Sequence, residues 1–294
     1  MRLIHIVMGV SVALIWGMGL VFAKAAIGHF PPILLMALRF LVTALTLVWW
    51  VPLPKGEYLS LFWVTLMSAA LQYSMTYTGL KGLDASVTAL LVQLEVPFLI
   101  IAGTVLLSER NHWPKWLGVL ICFGGVALIV GEPKTQSQLY AVFLVIGGCA
   151  CWAVGQVMVR KMLTLSGMAA TAWVAVYASI QLFVMSWIFE DGQRAAIADA
   201  GWVVLGAVVY LGLVMTAVGY GFWFSLLRIY PVGMVAPFLL LMPLFSVLGS
   251  VWFLGETLSP GALIGGAVVI FGVGLITFDG YRRGLAARRA ASTI

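Results

Sequence analysis

The 294-residue chain is 63% hydrophobic and only 9% charged, whereas a water-soluble domain carries about 25% charged residues. Its mean hydropathy of +1.10 excludes an ordinary soluble domain, and long unbroken apolar runs exclude an outer-membrane barrel, whose strands alternate polar and apolar positions. The net charge of +6 does not indicate nucleic acid, because the basic residues fall in short loops and in the tail YRRGLAARRA, where membrane topology places them.

Breaks at charges, Pro and Gly divide the chain into ten spans, each long enough to cross a bilayer. They are Ile4 to Ala23, Pro32 to Val51, Tyr58 to Leu80, Ala85 to Leu107, Pro114 to Val130, Leu139 to Val159, Ala169 to Phe189, Gly201 to Leu227, Val232 to Leu254 and Pro260 to Phe278. The first resembles a signal peptide, with Ala23-Lys24-Ala25 loosely placed as a cleavage site. Its length and the spans that follow mark it as an uncleaved helix. Only the loop EDGQRAAIADA between the seventh and eighth spans has appreciable length, so no soluble domain fits between spans. Cys122, Cys149 and Cys151 all lie inside apolar spans without ligand spacing, which predicts no disulfide framework, no metal site and no cofactor.

Lys and Arg are retained on the cytoplasmic side of a membrane. Arg2, Lys55, Arg110, Lys115, Arg160, Lys161, Arg228 and the tail arginines share one side with both termini; Lys24, Lys81, Lys134 and Arg194 lie on the other. Both termini are therefore expected in the cytoplasm.

The chain also repeats itself. ALIWGMGLVFAK in the first span aligns with CACWAVGQVMVR in the sixth, matching Trp16 to Trp152, Gly19 to Gly155 and Lys24 to Arg160. At a slightly larger offset Tyr73 meets Tyr220, Tyr77 meets Phe224, Lys81 meets Arg228, Pro97 meets Pro243 and Pro114 meets Pro260. An ordered series at nearly constant offset is not expected by chance. Residues 1–135 and 136–294 thus form two five-helix repeats, the second ending in the basic tail. An odd number of spans per repeat turns the second upside down relative to the first. The fold class is an all-α membrane protein of two inverted-topology repeats, an architecture common among secondary transporters.

These elements resemble the EamA-type drug/metabolite transporter superfamily. The resemblance rests on the ten-span layout, the Trp-Gly element ALIWGMG, the Arg-Phe pair in LMALRFL, and the VPFLII…LLSER element with its echo MPLFSV…FLGETLSPGALIGGAVVIFGVGL. The aromatic amino-acid exporter branch is the more specific relative. The resemblance implies an inner-membrane permease that exports amino acids or similar small metabolites, aromatic and apolar ones included. It also implies alternating access, with spans one to four and six to nine around a central cavity and five and ten outside it. A drug or multisubstrate exporter of the same superfamily is the alternative.

Glu95 is the most costly residue in the chain. Counted from Asp84 it lies about 16 Å deep, near the middle of a hydrocarbon core about 30 Å thick. Intramembrane carboxylates face bundle interiors or wet cavities, so Glu95 is a candidate for a substrate ammonium or a coupled proton. It could equally pair with Arg39 on the second span, itself either a structural ion-pair partner or a site for a substrate carboxylate. Trp16 and Trp152 sit halfway along their spans, away from the interfacial belts that Trp prefers. They could line a cavity and stack on a substrate, or pack. Tyr73 and Tyr77 share a helical face, with Gln72 beside them, and Tyr220, Phe224 and Trp223 form a similar face on the eighth span. The two faces would make an outer and an inner gate, but Tyr77 and Phe224, close to their span ends, read rather as belt aromatics. Gln93, Gln156 and Gln181 are intramembrane amides that need partners, from substrate or from other helices. Pro97 and Pro243 are a matched pair of hinge or bend positions. Glu109 and Glu256 read as solvated anchors or loop caps. Glycines crowd the fifth and tenth spans, for close packing inside a monomer or as the face of a weak homodimer.

An intramembrane enzyme would need a chemical constellation that is missing: His5, His29 and His112 lie at span ends, and no pair of buried aspartates occurs. A channel would be expected to show rings of polar groups. Without a nucleotide-binding P-loop, any drive is an ion gradient or the substrate gradient itself.

Overall fold

A computed structural model describes residues 1–109, 111–130, 136–162, 164–165, 167–230 and 235–291. Arg110 and Lys134, used above to orient the chain, lie outside the described residues, as do the side chains of Phe224, Arg228 and the tail arginines. The described elements are all helical. Nine helices among the described residues are long and apolar enough to cross a membrane. The third predicted span is also helical, as Tyr58–Thr65, Leu66–Leu71 and Gln72–Gly82 in succession, but its second half, QYSMTYTGLK, is more polar than the rest. Several helices run past the bounds read from the sequence, the first to Ile27 and the sixth from Gln136 to Met162. The tenth helix runs to Ala291, and the loop before the eighth span holds a short helix, Gln193–Ala198, where alanines favour a helical turn.

The repeat is visible in the backbone irregularities. The third span carries a π-helical segment at Leu66–Leu71 and the eighth carries one at Tyr210–Val218, just before the matched aromatic faces. The fourth span breaks where Ala85–Val92 gives way to Glu95–Leu107. The ninth changes from a 3-10 stretch, Ala236–Leu241, to an α-helix at Met242. Pro97 and Pro243 therefore stand in the first turn of new helices. There the missing N–H is no loss, because first-turn N–H groups have no intrahelical acceptor. Both of these spans end on a left-handed residue, Ser108 at φ 54° and Gly255 at φ 68°.

Carboxylates tie each repeat to the other at the helix ends. Glu190 accepts from the N–H groups of Ile33 and Leu34 at the start of the second span, at 2.8 and 3.0 Å. Glu256 accepts from Ala85 and Ser86 N–H at the start of the fourth, at 2.6 and 3.0 Å, and from the Ser86 hydroxyl. This makes Glu256 a loop cap, satisfying donors that a helix leaves open. Glu57 accepts from Thr164, and Glu109 pairs with Arg160. Lys24 donates in the opposite sense, to the carbonyls of Leu80, Lys81 and Leu83 at the end of the third span.

The fifth and tenth helices, Trp113–Val130 and Pro260–Ala291, press their glycines together. A Cβ on Gly125 would stand 2.7 Å from the Gly265 carbonyl oxygen, and one on Gly272 would stand 2.7 Å from Cys122 Sγ. That face is consumed inside the chain. One buried cluster joins spans one, two, three, seven and eight with the start of the fourth; a second joins four, five, six and ten.

Candidate functional site

Glu95 is the first residue of the helix that follows the break in the fourth span. A helix N-terminus offers partial positive charge there, which gives an acid at this depth one local support. The carboxylate remains partly accessible although it lies midway along the span. Among the described residues no group donates a hydrogen bond to its side chain and no cation pairs with it. Its electrostatic neighbours are the hydroxyls of Tyr77 on the third span and Tyr220 on the eighth, and the thiol of Cys149 on the sixth. Glu95 thus stands among groups from both repeats.

Arg39 does not form the expected pair with Glu95. It is 1% exposed, and its guanidinium lies 4.8 Å from the centre of the Tyr73 ring and 5.2 Å from that of Phe40. A guanidinium is weakly hydrated and stacks on aromatic faces, which makes burial without a carboxylate tolerable. Tyr73, Tyr77 and Tyr220 are its electrostatic partners. Its remaining contacts are long, to Thr216 Oγ1 at 3.5 Å and Met36 Sδ at 3.9 Å, and Nε has no partner.

The two aromatic faces form separate ring-contact groups that are linked electrostatically through Arg39. Tyr73 and Tyr77 lie 5.6 Å apart, Phe40 packs edge-on against Tyr73, and Tyr220 joins them around Arg39. Tyr77 is 2% exposed and so is not a belt residue. Trp16 belongs to the second group, with ring centres 5.0 Å from Tyr220 and 5.8 Å from Trp223. Its indole N–H donates to the Met215 carbonyl at 2.9 Å, within the π-helical segment. Trp16, Tyr220 and Trp223 are all partly accessible.

Other candidates stand apart. Trp152 does not meet Trp16; it packs in a separate small cluster with Phe98, Leu99 and Val157. Gln72 is buried with its Oε1 unsatisfied, and its backbone carbonyl lies against Gly148 of the sixth span. Gln93 and Gln156 are half-buried, with no side-chain hydrogen bond among the described residues. Gln181 bridges helices by donating to the Phe62 carbonyl at 3.0 Å. Thr216 and Met36, which touch Arg39, escape sequence reading because a lone Thr or Met in an apolar span carries no periodic signal.

A cavity of about 940 Å³ lies elsewhere, at the end of the bundle that holds Lys24, His29, Lys81 and Glu190. Lys24 and Glu190 are already committed to helix termini and His29 to the Ala196 carbonyl. This space forms a vestibule at the bundle end in which three of the polar groups are engaged in holding the fold. Among the described residues no group of His, Cys, Asp and Glu could hold a metal.

The EamA-like transporter family model matches residues 3–131 and again 139–278, one match in each half. A Salmonella typhimurium protein named as a probable amino-acid metabolite efflux pump is 28% identical over 281 residues, covering 92% of this chain and 93% of its own. One of the same name from Escherichia coli is 27% identical, covering 92% and 94%. An uncharacterized transporter from Archaeoglobus fulgidus is 26% identical, covering 89% and 94%. A solved crystal structure 18% identical to the chain shares the fold at a TM-score of 0.63, covering 96% of this chain and 98% of that one. The chain is a multi-pass membrane transporter, not an enzyme, and it belongs to the EamA-like transporter family of the drug/metabolite transporter superfamily.

Proposed function

We propose that the protein is a secondary transporter that exports amino acids or similar small metabolites, aromatic and apolar ones included, across the inner membrane by alternating access. The observation that carries this reading is the unpaired, accessible carboxylate of Glu95 midway along a broken span, beside Tyr77 and Tyr220. A carboxylate held there without a protein counter-ion is suited to a substrate ammonium or to a proton. The names of the Salmonella and Escherichia coli relatives support the substrate class. Arg39 acts as a structural cation that holds the second span to the third and eighth, and the breaks before Pro97 and Pro243 act as hinges. Both termini face the cytoplasm, so the vestibule with Lys24 and Lys81 opens outward.

The partly accessible trio Trp16, Tyr220 and Trp223 also suits a second reading, a multisubstrate exporter of apolar compounds. Counterflow into proteoliposomes with a panel of amino acids, run with and without a pH gradient, separates the two. Uptake of aromatic or apolar amino acids is expected; failure to move any amino acid would remove the substrate class.

A further inference from the structure

Of the two ionisable residues deepest in the spans, one is open to a ligand and the other is not. Arg39 is sealed among Phe40, Tyr73 and Met36, whereas Glu95 is accessible and unpaired. Trp16, Tyr220 and Trp223 are partly accessible, with the Trp16 ring centre 5.0 and 5.8 Å from the other two, and Tyr220 lies within electrostatic range of Glu95. Aromatic faces attract cations through their ring quadrupole, and a nearby carboxylate adds a full counter-charge. Trp16 has spent its only donor on the Met215 carbonyl, so its indole presents a face and no hydrogen bond to an anion.

We propose that this site holds its ligand by the ammonium end alone, so that arylalkylamines without a carboxylate are ligands alongside the corresponding amino acids. The inference rests on the transport reading for the location of the site, but it makes the carboxylate of an amino acid a passenger. Arylalkyl acids that carry the carboxylate and lack the amine are then excluded, because Glu95 would repel them and Arg39 is out of reach.

The test is a ligand series on the wild-type protein in nanodiscs: 2-phenylethylamine, phenylalanine and 3-phenylpropionate, read by quenching of tryptophan fluorescence. The same three compounds are then used as competitors in phenylalanine counterflow. Amine and amino acid are expected to bind within about tenfold of each other, and the acid at least about a hundredfold more weakly. Glu95→Gln should lose amine binding, with a melting temperature near that of wild type reporting that it folds. Binding of phenylalanine and phenylpropionate without the amine would overturn the inference and leave the export reading standing. Amine binding with no binding or counterflow of any amino acid would overturn the export reading and keep the inference. No binding by any of the three overturns both, and undiminished amine binding by folded Glu95→Gln removes Glu95 as the anchor.

Discussion

Glu95 and Arg39 are both ionisable groups inside spans, and the structure gives them opposite situations. Arg39 is buried, stacked on Tyr73 and Phe40, and coupled to three tyrosine hydroxyls; Glu95 is accessible and unpaired. Sequence alone flagged both, because any charge in an apolar run stands out. It could not say which was sheltered, since that depends on how the second, third and eighth spans meet. Arg39→Met retains the volume and removes the desolvated cation–π contact, with an expected loss of about 2 kcal/mol. A thermal melt in detergent checks this, and an unchanged melt would show that the stacking contributes nothing. Tyr73→Leu removes one aromatic face and should cost less, because Phe40 remains against the guanidinium.

At the scale of elements, the matched prolines were legible in the sequence, and so were the glycines of the fifth and tenth spans. The π-helical segments at Leu66–Leu71 and Tyr210–Val218 were not, because no residue type marks a π-turn. The cap made by Glu256 was legible only as one of two readings. Glu256→Ala leaves the Ala85 and Ser86 N–H groups without their acceptor and is expected to cost about 1 kcal/mol, read from the same melts. The glycine face gives a sharper contrast. In Gly125→Val the new side chain meets the Gly265 backbone at 2.7 Å, and overpacking of this kind costs about 1–3 kcal/mol. Gly124→Ala points into open space one residue away and is expected to leave the melt unchanged. Equal effects at the two positions would contradict the packing described for these helices.

At the scale of the whole molecule, the duplicated family match and the paired irregularities of the backbone agree with a two-repeat architecture that the offset matches had suggested. Trp152 shows where symmetry misleads: it aligns with Trp16 in sequence, yet the two pack in different clusters. Carboxylates from one repeat cap or pair with the other at Glu57, Glu109, Glu190 and Glu256, so any rocking of the repeats must exchange or carry these ties. Orientation was read from loop charge. A green fluorescent protein fused to the C-terminus is expected to fluoresce, and a fused alkaline phosphatase to be inactive; the reverse pattern would place the vestibule on the cytoplasmic side. The central claim is that Glu95 lies on the transport path. The direct measurement is phenylalanine counterflow in matched proteoliposomes of wild type and Glu95→Gln, with and without a pH gradient. Counterflow by the wild type and its loss, or loss of its response to the gradient, in the variant is the predicted result; identical rates and identical pH response in the two would contradict it.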